Sequence, residues 1–251
     1  MFNARKKKEA KLLRDQELGT SLISYISPQS INAEQFRAIR TNIEFAQVDR
    51  QLKSLLVSSS IPAEGKSTVS ANVAIVMAQT EKRVLIVDAD MRKPTLHKTF
   101  HLDNSLGLSN LIANVDMKFN QVVQHNEEMD LYLLPCGPIP PNPSELLGSA
   151  RMALIMQELA QYFDLIIYDT PPITAVADPQ ILATRVDGVL LVSRYGYVRK
   201  EEVRQAKEIL DNVDANIMGY VMNEVPRDEN SGYYSYYGYG YGHEGKREIK
   251  E

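Results

Sequence analysis

The chain has 251 residues, 24% of them charged and 44% hydrophobic, with a formal net charge of -4. That length suits one large domain or two small ones, and the mild acidity gives no general case for binding nucleic acid. Cys136 is the lone cysteine, so no internal disulfide can form, and no run of eighteen apolar residues is present to span a membrane.

Residues 1–30 are polar and without a clear period, and read as an N-terminal arm. The first residues lack the apolar centre of a secretory signal. They hold six cations, Arg5, Lys6, Lys7, Lys8, Lys11 and Arg14, against Glu9. Such a run is either a solvated terminus or a contact for acidic lipid or an acidic partner. From Glu34, the pattern EQFRAIRTNIEF predicts a helix with Phe36, Ile39 and Ile43 on one face and Arg37, Arg40 and Glu44 on another.

Strands and helices then alternate. KSLLVSS (53–59), RVLIVDAD (83–90), LYLLP (131–135), DLIIYDTPP (164–172), DGVLLVSR (187–194) and NIMGYVMNEV (216–225) read as strands. Between them, KSTVSANVAIVMAQT, a long helix over 144–163 and RKEEVRQAKEILDN (199–212) read as helices. Near-continuous apolar runs between amphipathic helices predict an α/β fold, a mostly parallel central sheet with helices on both faces. Such sheets bind ligands beyond the carboxyl ends of their strands. Residues 31–225 form the expected domain. Residues 226–251 lose the apolar pattern and read as a flexible, tyrosine-rich tail. Six of the chain's 13 tyrosines fall there: Tyr233, Tyr234, Tyr236, Tyr237, Tyr239 and Tyr241.

SSSIPAEGKST follows the first strand and opens a helix. It fits the phosphate-loop pattern G-x-x-x-x-G-K-[ST], with Ser60 in place of the first glycine. Gly65 lets the backbone approach phosphate, and successive N–H groups at a helix N-terminus face an anion. Lys66 adds a point charge, and Ser67 supplies a hard oxygen for Mg²⁺. Ser60, Ala63, Glu64, Gly65, Lys66, Ser67 and Thr68 are therefore the candidate nucleotide contacts. Two strands supply three carboxylates at the same sheet edge: Asp88 and Asp90 from VLIVDAD, and Asp169 from LIIYD. A single aspartate in such a place is usually a cap or a turn residue; three beside a phosphate loop suit metal-assisted phosphoryl transfer. Arg92 and Lys93 follow and read either as phosphate ligands or as ordinary surface cations. The four histidines show no metal spacing with Cys136, and that cysteine reads as structural.

SSSIPAEGKST, VLIVDADMRKP and LIIYDTPP resemble the Walker A, Walker A′ and Walker B motifs of the bacterial tyrosine kinases. LPCGPIPPNPSELLGS is similar to the segment these kinases carry before their long helix, and EQFRAIRTN to their ExxRxxR self-association motif, matched by Glu34, Arg37 and Arg40. The resemblance implies a P-loop NTPase fold of the deviant Walker type and ATP-dependent tyrosine autophosphorylation with Mg²⁺. It implies Lys66 and Ser67 as phosphate and metal ligands, Asp88 as general base, and Asp90 and Asp169 as metal ligands, with Asp88, Lys66 and Asp90 as the catalytic set. Asn223, at a strand end, falls where the wider ATPase superfamily contacts adenine; an Asn there is also a good turn former. The tail tyrosines become the acceptors. The implied partners are a separate membrane-spanning activator, further copies of the chain in a ring, and protein tyrosine substrates. The implied setting is the cytoplasm, at the inner face of the membrane, in capsule or exopolysaccharide synthesis.

Two other readings compete. Partitioning and division-site ATPases share the fold and paired aspartates, but carry an extra lysine at the position of Ile61 and lack a terminal tyrosine cluster. A nucleotide-switched scaffold is the other; the intact set of Lys66, Ser67, Asp88, Asp90 and Asp169 speaks against a dead enzyme.

Overall fold

The computed structural model describes residues 21–46 and 52–226. The six N-terminal cations and the six tail tyrosines lie outside the described residues.

Seven strands form one sheet in the order β3-β4-β2-β5-β1-β6-β7. They are β1 (Ser54–Ser59), β2 (Val84–Asp88), β3 (Gln124–Asn126), β4 (Leu131–Leu134), β5 (Leu165–Asp169), β6 (Gly188–Arg194) and β7 (Ile217–Asn223). Every pairing is parallel except β3 with β4. The expected architecture holds: the central strands β1, β2 and β5 are buried along almost their whole length, as a sheet covered on both faces requires.

The helices are α1 (Ile23–Ile26), α2 (Ile31–Phe45), α3 (Lys66–Ala78), α4 (Leu96–Thr99), α5 (Leu108–Ala113), α6 (Pro143–Gly148), α7 (Ala150–Tyr162), α8 (Asp178–Ala183) and α9 (Lys200–Asp211). On one face, α5, α7 and α9 pack Leu111, Ile155 and Leu210 against Leu56, Val87 and Leu191. On the other, α3 lies against Leu55, Val57 and Ile86. α3 is buried nearly all round, so it has cover on its outer side as well. α2 supplies it with the expected stripe: Ile43 is buried there, and Phe36 and Ile39 pack beside it.

Four features differ from the sequence reading. The helix expected over 144–163 is two helices. Ser149 is extended at ψ 157, and its side chain accepts from Met152 N to cap α7. Arg185 donates to the carbonyls of Leu147 and Gly148, at the end of α6, and to that of Ser149, which also accepts the first helical bond of α7 from Ala153 N. The edge strand β3 is polar and three residues long, too short to leave a pattern but suited to an edge. Residues 21–30, assigned to the arm, are anchored to the domain. Leu22 is buried, and Asn72 of α3 accepts from Ser24 N and donates to Ser21 O. Arg40, expected on a cationic face with Arg37, is half-buried and donates to Val76 O of α3 at 2.9 Å.

Candidate active site

The phosphate loop runs from the end of β1 to the start of α3. Gly65 caps α3 in the left-handed conformation, φ 87. Ala63 is also left-handed, φ 65. The loop after β5 is zipped to it: Ile173 N donates to Ser59 O, and Thr174 donates to Ser60 O through both its N–H and its hydroxyl. Asn223, the last residue of β7, donates from Nδ2 to Glu64 O at 3.0 Å. A Cβ on Gly65 would meet that nitrogen and displace the Asn223 amide, and φ 87 itself favours glycine.

Beside the loop stand the three aspartates, brought together because β1, β2 and β5 are parallel neighbours. Lys66 Nζ lies 3.0 Å from Asp90 Oδ2 and 3.9 Å from Asp169 Oδ1, and donates to Ser67 Oγ at 3.1 Å. Burial alone would lower the Lys66 pKa; the Asp169 and Asp90 carboxylates reverse this and hold it above the ordinary range. Asp169 is fully buried, and Ser70, one turn along α3 from Ser67, donates to its Oδ1 at 3.0 Å. Burial raises its pKa, against the pull of Lys66.

Asp88 is a helix cap, as a lone aspartate usually is, and it also keeps one oxygen uncommitted. Its Oδ2 accepts from Thr95 N and Leu96 N, each at 3.0 Å, and so caps α4. Its Oδ1 is buried with no hydrogen-bond partner. Burial, and then the Asp169 carboxylate, push Asp88 well above the usual carboxylate range. A carboxylate with one uncommitted, unusually basic oxygen is suited to accept a proton.

The donor set also fits a divalent cation. Ser67 Oγ and the Asp90 and Asp169 carboxylates are hard oxygens on one side of the loop, and Asp169 Oδ2 is buried without a hydrogen bond.

Some residues do something other than the sequence suggested. Arg92 forms a two-pronged pair with Asp178 of α8, at 2.8 and 3.0 Å, and reaches Ser144 of α6. It ties the loop after β2 to those helices rather than standing free for phosphate. Its partner Asp178 is buried and its pKa lowered: burial would raise it, and Arg92 and Ser144 outweigh that. Cys136 is buried, and burial pushes its thiol up to about 12, consistent with packing. Glu34 and Arg37 pair on α2, with Arg37 also donating to Pro28 O. The sequence did not single out Ser70 or Asp178 for these roles. Only Ser70 left a signal, its i, i+3 spacing from Ser67.

The sequence and the fold are similar to those of known proteins. The family model described as AAA domain covers residues 63–219. The tyrosine-protein kinase YwqD of Bacillus subtilis is 46% identical over 225 residues, 90% of this chain and 94% of that protein. The crystal structure of the chimerical protein CapA2B2 superposes with a TM-score of 0.79 at 39% identity, over 84% of this chain and 94% of that one. The kinase domain of the Escherichia coli tyrosine kinase ETK gives a TM-score of 0.77 at 31% identity, over 90% of this chain and 86% of that one.

Proposed function

The chain belongs to the bacterial tyrosine kinases and is a protein-tyrosine kinase of that type; from that premise we propose that it transfers the γ-phosphoryl group of Mg-ATP to tyrosines of its own C-terminal cluster, Tyr233 to Tyr241, in a neighbouring copy. The observation that carries this reading is the contact of Asn223 with the phosphate loop. β7 ends against Gly65, so the segment bearing the tyrosines departs from the rim of the nucleotide site. Tyr233 is eight residues past Val225, a reach of under ~30 Å.

The chain's own groups divide the work. The loop N–H groups and Lys66 hold the phosphates, which compete with Asp90 and Asp169 for the ammonium. Ser67, Asp90 and Asp169 hold Mg²⁺, which neutralises charge on the phosphates when bound. Asp88 Oδ1 takes the proton of the acceptor phenol, whose pKa of ~10 keeps it protonated at neutral pH. The raised basicity of Asp88 narrows the gap that this transfer must cross.

Glu34, Arg37 and Arg40 mark α2 as the self-association helix, and a ring of copies favours transfer between chains. Each phosphotyrosine adds about -1.5 to -2 charges, so modified tails repel one another and the aspartate cluster, releasing the ring. A separate membrane-spanning protein recruits the kinase to the inner face of the membrane and raises its activity, in the service of capsule or exopolysaccharide synthesis. The test mixes a full-length Lys66→Met protein with an active protein lacking residues 230–251. Phosphotyrosine on the inactive partner is the expected result. No label on it, with autophosphorylation of the intact protein independent of concentration, would mean that each chain modifies itself.

A further inference from the structure

At the rim of the phosphate loop, Glu64 and Asn223 act on the backbone rather than on any reacting group. The bend that shapes the loop passes through two left-handed residues, Ala63 and Gly65. At a non-glycine residue that conformation is unfavourable and persists only where neighbours hold it. Glu64, between them, supplies the hold. Its side chain is fully buried, and among the described residues its carboxylate is held by backbone N–H groups. Oε2 accepts from Ile61 N at 2.8 Å, within the loop, and Oε1 from Arg194 N at 3.1 Å, at the end of β6. A buried carboxylate is costly unless its oxygens are satisfied, and here backbone donors from two elements satisfy it. Arg194 returns a bond from Nη1 to Ala63 O.

Asn223 closes the other side. Its Nδ2 donates to Glu64 O and packs where a Gly65 side chain would be. Its own carbonyl is fixed by Tyr195 N at 2.9 Å. Beyond it, Glu224 pairs with Arg194 at 2.6 Å. The loop is thus stapled to the ends of β6 and β7 from both faces of the Glu64 peptide.

We propose that Glu64 and Asn223 are positioning residues that hold the phosphate loop in its anion-binding shape, and that Asn223 serves the loop rather than the base of the nucleotide. This rests on the loop binding nucleotide, as proposed above. The distinction is chemical: a residue that reads the base affects only ligands that carry one, whereas a residue that shapes the loop affects every phosphate ligand alike.

The experiment titrates ADP and base-free pyrophosphate, each with Mg²⁺, into the full-length protein and its Glu64→Gln and Asn223→Ala variants. Glutamine retains one acceptor oxygen but turns an N–H group toward a backbone donor, so half of the staple is lost. Each variant is expected to raise the Kd of both probes by about 10-fold, with Asn223→Ala giving the same factor for both. The combined variant should fall short of the product of the two, because both act on one peptide. Melting temperatures without ligand should fall by no more than about 10 °C, which leaves each variant folded during the titration. In steady-state assays the KM for Mg-ATP should rise more than kcat falls. Weaker ADP binding with unchanged pyrophosphate binding in Asn223→Ala would assign it to the base and overturn the proposal. So would unchanged Kd values for both probes in both variants. If Glu64→Gln does not fold, pyrophosphate binding by Asn223→Ala decides alone. A parent protein that binds neither probe would instead remove the nucleotide reading itself.

Discussion

Lys66 Nζ lies 3.0 Å from Asp90 Oδ2 and also faces Asp169, so the cation expected to meet phosphate is held by the carboxylates expected to meet metal. Neither charge is left bare in a site that is largely closed to solvent.

Replacing Lys66 by methionine should therefore do two things. Phosphorylation should be abolished, because the cation that orients the transferred group is gone. The free protein should also lose about 3 kcal/mol, since breaking a buried pair strands its partners, a fall in melting temperature on the order of 5–10 °C. The raised pKa of Lys66 means that its stabilising contribution is complete below the ordinary lysine range and fades as pH climbs through the folded-state value. The deficit in the variant should shrink on acidification, as Asp88 and Asp169, both raised, take up protons. Calorimetry across pH checks this.

Asp88→Asn should separate stability from function. Ionised Asp88 is disfavoured by burial and by Asp169, so its raised pKa gives stability that is present at low pH and lost as pH rises through it. Asparagine removes that loss, keeps an oxygen for Thr95 N and Leu96 N, and should raise the melting temperature at neutral pH by about 2–4 °C. Turnover should fall at least 100-fold with ATP binding largely kept. In the parent, kcat/KM should rise with pH through a limb set by an unusually basic carboxylate, and the variant should lose that limb.

The two arginines of α2 should behave differently. Arg40 is half-buried, bonded to Val76 O, and its Nε is buried without a partner. Arg40→Ala should cost about 1–3 kcal/mol through lost packing and an unsatisfied carbonyl. Arg37 is also half-buried, but it pairs with the exposed Glu34 and makes one bond to Pro28 O within the same segment, so its loss should cost about 1 kcal/mol. Arg37→Ala alone is thus the cleaner probe of self-association. It should shift the protein toward monomer in light scattering without a large change in melting temperature; an unchanged large species would remove Arg37 from the interface.

The strands and the phosphate loop were legible because their signals are local. Apolar runs that end in Asp88 and Asp169 need no knowledge of the rest of the chain, and a parallel sheet necessarily brings those ends to one edge. What stayed hidden depends on distant partners. Arg92 reads either as a phosphate ligand or as a surface cation until Asp178, 86 residues away, claims it. Arg40 reads as surface charge until α3 offers a carbonyl. The break at Ser149 had a local sign, Gly148 followed by a capping serine, but a long apolar period runs across it, and Arg185, 36 residues on from Ser149, helps to stabilise it. Glu64 sits at a position where the loop pattern accepts any residue, so nothing local marks its buried carboxylate.

The most direct test of the central claim is mass spectrometry of the purified full-length protein after incubation with Mg-ATP, beside the Lys66→Met variant treated alike. The account predicts phosphotyrosine within residues 233–241 of the active protein and none in the variant. ATP hydrolysis without phosphotyrosine in that stretch, or equal phosphotyrosine in the variant, would contradict it.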